Sequence, residues 1–324
     1  MTWVTWLQYR YQGALAAALL AVLAVLLLVT GLHAAQVLHL ALAGCAHDGS
    51  CASLPYSQLS LASPRVYGLV VATAAVPLLP ALFWGAPMVA QEAETGTDQF
   101  AWTQSITRRR WLAVRAGWLL LATAVLAAAV SALATWWSGP DSALNADAFH
   151  LGRFDVIDIV PVAYAIFAMA LGICAGALLR RTLPAIAVTL AGFVALRVLT
   201  AWLRLYYMTP VTAYYKLTTG FTPIGSYLQV SQGVVGQNGQ PPTAGPGGLV
   251  INGFAIPGPC RQAYVSRDPN AFPSCMTAHG YRGYLIYQPA SRFWAFQGIE
   301  TGIFLVLAAA LLGVTFWVLK RRGA

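Results

Sequence analysis

Charge is scarce in this sequence. Asp, Glu, Lys and Arg together make up 9% of its 324 residues, against about 25% in a typical soluble domain. Apolar residues reach 58%, and a water-soluble fold of this length could not bury that much apolar surface without exposing large patches. The low charge therefore excludes an ordinary soluble protein and indicates a chain whose solvent is lipid.

Acidic residues are scarcer than basic ones, which leaves a formal net charge of +9. A nucleic-acid-binding protein would gather such charge on one face, together with base-reading or stacking side chains. The basic residues lie instead at the ends of long apolar runs, which is typical of membrane proteins. We therefore expect membrane lipids as partners, and no nucleic acid.

Lysine is nearly absent, since Lys216 and Lys320 are the two lysines of the chain. P-loop ATPases need a glycine-rich loop that ends in Gly-Lys-Ser/Thr, and neither lysine follows a glycine. We therefore expect no ATP hydrolysis by that route, no catalytic residues and no cofactor bound to this chain. The five cysteines include no Cys-x-x-Cys pair and the spacing of the five histidines requires no metal, so we predict no metal site.

Six apolar runs of about twenty residues or more are long enough to cross a bilayer as helices. They lie at about 13–32, 67–90, 112–137, 159–179, 184–203 and 296–319. The second run contains Pro77, Pro80 and Pro87, so we expect it to be kinked and to rely on neighbouring helices. The first run is longer than the apolar core of a signal peptide, and we interpret it as an uncleaved signal-anchor rather than a cleaved signal.

Basic residues at the ends of these runs predict the orientation of the chain in the membrane. Those before the first run, after the second, after the fourth and after the sixth fall on one side: Arg10, Arg108, Arg109, Arg110, Arg115, Arg180, Arg181, Lys320, Arg321 and Arg322. The positive-inside rule then places both termini in the cytoplasm. Residues 1–12, with Trp3 and Trp6 at helical spacing, are expected to form an interfacial cytoplasmic helix or, alternatively, a frayed terminus anchored by aromatics.

The connection between the fifth and sixth runs is a polar insert at 206–292, far too long for a plain loop. Three of its stretches, SYLQVSQGVV, GGLVINGFAI and GYLIYQP, have the composition of short strands. We expect them to form a small extracytoplasmic domain of strands and short helices.

Four cysteines, Cys45, Cys51, Cys260 and Cys275, lie in segments that the topology places outside, where oxidising conditions favour disulfides. Three pairings are open, and the local pairs Cys45–Cys51 and Cys260–Cys275 are the simplest. Cys174 lies in the fourth run and is expected to be a packing residue.

Two ionisable residues, Arg197 and Glu300, lie inside apolar runs at comparable expected depth. We predict that they pair, either as a buried ion pair that fixes helix register or as part of a substrate path. The outer segment at 138–158 holds four aspartates, including Asp155 and Asp158. These are candidates for acid–base groups or metal ligands, and alternatively for helix caps in a solvated linker.

The stretch ETGTDQFAWTQSITRRRW at 94–111 concentrates charge on both sides of an aromatic pair. Under the topology above it is a cytoplasmic loop with a short helix at about 97–106. Exposed aromatics are costly unless they dock, so we predict a protein-docking segment, with headgroup insertion of the aromatics as the alternative. The residues of this docking site are Glu92, Glu94, Asp98, Phe100, Trp102, Ile106 and Arg108.

The same stretch, extended to FWGAPMVAQEAETGTDQFAWTQSITRRRWLAVR at 83–115, resembles the ABC-2 type permeases of bacterial ABC exporters, particularly a high-GC Gram-positive branch. MTWVTWLQYR at 1–10, VPVAYAIFAMALGICAGALLRRTLPA at 160–185 and YQPASRFWAFQGIETGIF at 287–304 carry the same resemblance. It covers the membrane part and matches the insert only weakly.

The resemblance implies that the segment at about 97–106 is a coupling helix, which docks onto a separate ATP-binding cassette subunit. That partner would bind ATP and Mg. A second permease chain, identical or different, would complete the transporter. The N-terminal helix would be the family's interfacial connector, whereas the long insert departs from the short outer helices usual in the family.

We therefore predict an all-α membrane protein of the plasma membrane, with six transmembrane helices, both termini cytoplasmic and a small mixed outer domain between helices 5 and 6. The expected divisions are 1–12, 13–205, 206–292 and 293–324. The predicted function is the non-enzymatic permease subunit of an exporter for an amphipathic or lipid-like compound. The alternatives are a polytopic enzyme acting on lipid-linked substrates and a non-transporting sensor or resistance subunit.

Overall fold

The chain divides into two compact units. The membrane unit comprises Met1–Arg204 and Trp294–Ala324, and the insert unit comprises Leu205–Phe293. The computed structural model describes residues 2–48, 64–95, 108–139, 149, 152–221, 223, 227–251, 254–266 and 268–321.

Six helices are long and apolar enough to cross a membrane among the residues that the structure describes, which confirms the six predicted spans. The spans are Ala17–Leu40, Tyr67–Gln91, Leu112–Trp137, Val160–Leu179, Thr182–Tyr206 and Ala290–Arg321. The fourth span is the most enclosed, because most of its side chains are buried against the other helices. The first, third, fifth and sixth spans keep most of their apolar surface exposed in the single chain, as lipid-facing helices do.

The helices are, in chain order, α1 (Thr2–Asp48), α2 (Pro64–Ala75), α3 (Ala86–Thr95), α4 (Arg108–Trp137), α5 (Val160–Leu179), α6 (Thr182–Leu203), α7 (Arg261–Val265), α8 (Ala271–Ala278) and α9 (Phe293–Arg321). A three-residue helical piece, Leu78–Pro80, and a π turn, Ala81–Gly85, lie between α2 and α3.

Helix α1 is longer than the sequence indicated. It runs for 47 residues without a break, about 70 Å, which is more than twice the hydrocarbon thickness of about 30 Å. The expected interfacial segment is therefore continuous with the first span, and residues 35–48, expected in an outer connection, are helical as well. The physical reason is composition, since residues 33–48 are rich in Ala and Leu and contain no proline.

The second span is interrupted where its prolines predicted a kink. Helix α2 ends at Ala75, and α3 begins at Ala86 after the three-residue helical piece and the π turn. Pro77 and Pro80 lie in the interruption, because each lacks the N–H that a continuous helix needs. Pro87 is tolerated because it occupies the first turn of α3.

Small residues bring the second span unusually close to α5. A Cβ atom added at Gly172 would lie 2.9 Å from the carbonyl oxygen of Ala81, and one at Gly176 would overlap the carbonyl oxygen of Ala86. Small residues at four-residue spacing allow such close backbone approach between membrane helices. This contact fixes α3, and with it the start of the predicted docking segment, against the most buried helix.

The insert unit contains two antiparallel sheets, so the all-α description is correct for the membrane unit alone. The strands are β1 (Val211–Tyr215), β2 (Tyr227–Val235), β3 (Leu249–Ile251), β4 (Phe254–Ile256) and β5 (Arg282–Pro289). The order β1-β5-β2 forms the larger sheet, and β3 pairs with β4. The three stretches predicted as strands contain β2, the β3–β4 pair and β5, whereas β1 was not predicted.

Polar side chains join the two ends of the insert unit. Gln288, fully buried at the end of β5, donates from Nε2 to the carbonyl oxygen of Met208 at 2.6 Å. Arg292 donates from Nη1 to the carbonyl oxygen of Thr209 at 2.5 Å and to Oε1 of Gln288 at 2.6 Å. The segment that enters the insert unit is thus hydrogen-bonded to the segment that leaves it.

Candidate functional site

Two carboxylates, two guanidiniums and one phenol meet inside the membrane unit. Asp155 lies in the turn before α5, Tyr164 in the first turns of α5, and Glu300 in the second turn of α9. Arg197 lies on α6, and Arg204 directly follows that helix. Arginines seven residues apart share a helix face, so both point to the same neighbours. These five residues are called the charge network.

Glu300 is the most buried member, with 0% of its side chain exposed. Its carboxylate accepts hydrogen bonds from Nε of Arg204 at 3.0 Å and from Nη2 of Arg204 at 2.9 Å. The hydroxyl of Tyr164 donates to Oε1 at 2.5 Å. Nη1 of Arg197 lies farther away, 3.4 Å from Oε1. The fork of Arg204 therefore holds both carboxylate oxygens, which is a strong and directional pairing.

Asp155 closes the network from the opposite side. Its Oδ1 lies 2.6 Å from Nη2 of Arg204 and its Oδ2 lies 3.0 Å from Nη2 of Arg197. Arg197 also lies over the ring of Tyr164, with Cζ 3.8 Å from the ring centre. Such a cation–π contact favours the charged guanidinium where water is scarce.

The charges of the network balance, two negative against two positive. Buried ions are tolerated when they are paired and hydrogen-bonded, and removing one partner leaves a costly uncompensated charge. Burial opposes ionisation of Asp155, but the charges of Arg197 and Arg204 outweigh it and lower the pKa of this carboxyl below its usual value. The network can therefore fix the register of α5, α6 and α9 around the turn that carries Asp155.

A buried glutamine supports the same turn. Gln297 lies one helical turn before Glu300 and accepts, at Oε1, a hydrogen bond of 3.1 Å from the backbone N–H of Val160. Its Nε2 donates to the carbonyl oxygen of Phe154 at 3.2 Å. Because Phe154 precedes Asp155, this amide holds the aspartate segment against α9.

The sequence of this membrane protein matches a known family. A family sequence profile described as ABC-2 membrane transporter related matches residues 17–204, more than half of the chain. The chain belongs to this family. Comparisons with curated proteins and with solved structures give no significant match.

The ABC-2 family assignment makes the chain a multi-pass membrane protein of the ABC permease type. The matched range includes five spans and four members of the charge network. The matched range ends at Arg204, and the insert unit begins at the next residue, Leu205. The insert unit and α9 lie outside the matched range.

The structure describes only part of the docking site predicted for this ABC-2 protein. Glu94 lies near the end of α3, where its carboxylate accepts two hydrogen bonds from Thr182. Glu92 belongs to α3 and Arg108 begins α4, but their side chains lie outside the described part. Asp98, Phe100, Trp102 and Ile106 also lie outside the described residues. Their docking role stays a prediction.

One predicted disulfide is present. Cys260 and Cys275 are bonded to each other, and Cys174 is free and buried in α5. Cys45 belongs to the helical range of α1, but its side chain and the whole of Cys51 lie outside the described residues. His279 lies close to the disulfide, but both sulfurs are bonded to each other and so offer no thiolate ligands to a metal.

Sequence reasoning singled out Arg197 and Glu300, which the structure brings together, and missed the size of the network. Arg204, which directly follows the fifth predicted span, and Tyr164 are not among the residues predicted from the sequence. Asp155 was considered only as an acid–base group, metal ligand or helix cap. The available signal was the seven-residue spacing of the two arginines, which implies a shared face and hence a second acidic partner.

Proposed function

We propose that this ABC-2 protein is the transmembrane subunit of an ABC exporter, driven by a separate ATP-binding cassette subunit that binds ATP and Mg. The observation that carries the proposal is the family match across residues 17–204, which contain five of the six spans. The positions of the basic residues support cytoplasmic termini and an extracytoplasmic insert. A second permease chain, identical or different, would complete the assembly.

The docking segment at about 97–106 connects α3 to α4, so any force applied to it reaches two membrane helices at once. Phe100 and Trp102 are the proposed anchors in a pocket of the ATPase subunit, with Asp98 and Ile106 beside them and Glu92 and Arg108 at the flanks. Buried aromatic anchors contribute most of the affinity in such interfaces, whereas charges at the rim contribute little.

The charge network supports an apolar or amphipathic cargo rather than a charged one. Its carboxylates and guanidiniums are paired with each other, so the network offers no excess charge to a substrate. Its proposed role is to set the register of the transmembrane helices during the transport cycle. A lipid-like compound would instead contact apolar helix surfaces.

The ion pairs of Asp155 argue against the alternative of a membrane enzyme. Asp155 is bound by two guanidiniums that keep it ionised, so it is poorly suited to donate a proton to a substrate. The alternative of a non-transporting sensor subunit predicts ATPase binding without movement of a cargo, and the experiment below separates it from an exporter.

The test is reconstitution of the purified chain with its ATPase subunit in liposomes that contain a fluorescent phospholipid. We expect stoichiometric binding of the ATPase and vanadate-sensitive, ATP-dependent movement of the phospholipid. Absence of a bound ATPase would refute the ABC assignment of the function. Binding and hydrolysis without phospholipid movement would instead favour the sensor alternative or a different cargo class.

The docking segment is tested by the double substitution Phe100→Ala with Trp102→Ala. Loss of buried aromatic anchors costs about 2 kcal/mol or more, so affinity for the ATPase should fall by at least roughly 30-fold. Trp118→Ala is the matched control, because Trp118 is an exposed tryptophan of α4 outside the segment. If the wild type, the double variant and Trp118→Ala retained equal amounts of ATPase per inserted protein, Phe100 and Trp102 would act as headgroup anchors and not as docking residues.

A further inference from the structure

The end of the second span is bonded to the start of the fifth. The backbone N–H of Thr182 donates to Oε1 of Glu94 at 2.9 Å, and the Thr182 hydroxyl donates to Oε2 at 2.7 Å. Thr182 is the first residue of α6, and Glu94 lies one residue before the end of α3. Both oxygens of one carboxylate are thus committed to one residue that lies 88 positions along the chain.

This contact supplies a helix cap that the sequence near α6 does not provide. The first N–H groups of a helix have no partner within the helix, and Arg181, at the N-cap position, makes no side-chain capping bond. A carboxylate at this end also interacts favourably with the helix dipole. The Thr182 hydroxyl, followed by its backbone N–H, lowers the pKa of Glu94, which keeps the capping group charged.

Small residues keep α3 and α6 in contact beside the cap. Ala90 of α3 and Ala185 of α6 are both fully buried in one cluster, together with Ala86 and Ala175. Because alanine side chains have no rotamers to rearrange, helices packed through them shift together more readily than they slide apart. The cap and the alanine contact therefore form one rigid joint.

The other end of α6 carries the arginines of the charge network. Helix α6 has 22 residues, a length of about 33 Å, which is close to the hydrocarbon thickness of a bilayer. Glu94 holds its first residue, while Glu300 and Asp155 hold Arg197 and Arg204 near its last. A displacement at one end of such a helix is transmitted to the other end with little loss.

We propose that Glu94 is a transmission residue, which couples displacement of the docking segment through Thr182 to α6 and so to the charge network. The proposal rests on the proposed function, because the displacement would come from an ATPase bound at residues 97–106. It assigns Glu94 to an exposed contact between two helices of the permease rather than to a contact with the partner. Substitution of Glu94 should therefore interrupt transmission without weakening the binding of the ATPase.

The experiment is hydrogen exchange on the complex of the chain with its ATPase subunit in lipid nanodiscs, with and without trapping by ATP and vanadate. In the wild type we expect trapping to change exchange in the peptides 86–95 and 182–190. In Glu94→Ala the response of 86–95 should persist and that of 182–190 should be lost. Thr182→Val removes the hydroxyl bond but keeps the backbone N–H bond, so its response of 182–190 should be reduced. Thr182→Ser keeps both donors and should respond as the wild type does.

The double variant Glu94→Ala with Thr182→Val should behave like Glu94→Ala alone, since the loss of the carboxylate already removes both hydrogen bonds. A full response of 182–190 in Glu94→Ala overturns the proposal, as does a wild-type complex in which only 86–95 responds. Weaker ATPase retention in Glu94→Ala than in the wild type would place Glu94 at the partner surface and also overturn it. If the wild-type chain binds no ATPase, the proposed function fails first, and this outcome is distinguished by the retention measurement itself.

Discussion

Removing the charge of Glu300 should destabilise the membrane unit more than any other isosteric change in the charge network. Glu300→Gln keeps the size of the side chain and an acceptor oxygen, but leaves Asp155 alone with two buried guanidiniums. Breaking a buried ion pair costs about 3–5 kcal/mol. Charges about 3 Å apart attract by roughly 5 kcal/mol at an effective dielectric constant of about 20, which agrees with that range.

The matched control restores the balance of charge. In Glu300→Gln with Arg197→Gln, Asp155 and Arg204 remain as a neutral pair whose closest atoms are 2.6 Å apart. Arg197 is the member to remove because its contact with Glu300 is the longest, at 3.4 Å, and its side chain is 16% exposed. We expect the double variant to be more stable than Glu300→Gln alone, although two native groups have been replaced.

The assay is reversible unfolding by SDS in mixed micelles, followed by tryptophan fluorescence, which yields a free energy of unfolding for each variant. A loss below about 0.5 kcal/mol for Glu300→Gln is what ordinary surface substitutions show, and would mean that the network is hydrated. A double variant as unstable as the sum of its single variants would show that charge balance does not govern this site.

The remaining predictions concern packing, the disulfide and pH. Gly176→Ala should lower the free energy of unfolding by about 1–3 kcal/mol, because its Cβ would overlap a backbone oxygen. Gly117→Ala is the control, because it has open space around it and should be neutral in the same assay. Equal effects of the two substitutions would contradict the close approach of the helices. Cys260→Ser should cost the insert unit roughly 3 kcal/mol, because the bond to Cys275 closes a loop of 15 residues; an unchanged melting transition of that unit would exclude the bond. Because the pKa of Asp155 is lowered, its contribution to stability is complete above the unfolded pKa of about 3.9 and is lost as the pH falls through the folded value. Asp155→Asn should reduce the loss of unfolding free energy at acidic pH. An unchanged loss would assign this pH dependence to other carboxyls.

The sequence was sufficient to predict the six spans, because hydropathy over about twenty residues depends on composition and not on neighbours. It also predicted the interruption near Pro77 and Pro80, since proline removes a backbone donor wherever it occurs. It misjudged the end of α1, where histidine and glutamine lower the hydropathy of a segment that remains helical. It missed β1, a five-residue strand whose pairing with β5 is invisible in its own residues.

Most contacts of the charge network cannot be predicted from local sequence patterns. Depth along each span predicts Arg197 near Glu300, but Asp155 enters the network through the folding of a turn onto α9 and Tyr164 enters it through the contact of α5 with α9. The contact of Glu94 with Thr182 is of the same kind, because it depends on the close packing of α3 and α6. Such contacts join residues far apart in sequence, and the periodicity of a single segment does not identify both partners.

The hydrogen bonds between the two ends of the insert unit make that unit an interchangeable module. Its entering segment, at Met208 and Thr209, and its leaving segment, at Gln288 and Arg292, are already held side by side. Domains whose ends lie close together are readily inserted into, or removed from, a host chain. Evolution or design could therefore exchange this sheet for another folded unit, provided that the newcomer presents its own two ends at the same short spacing.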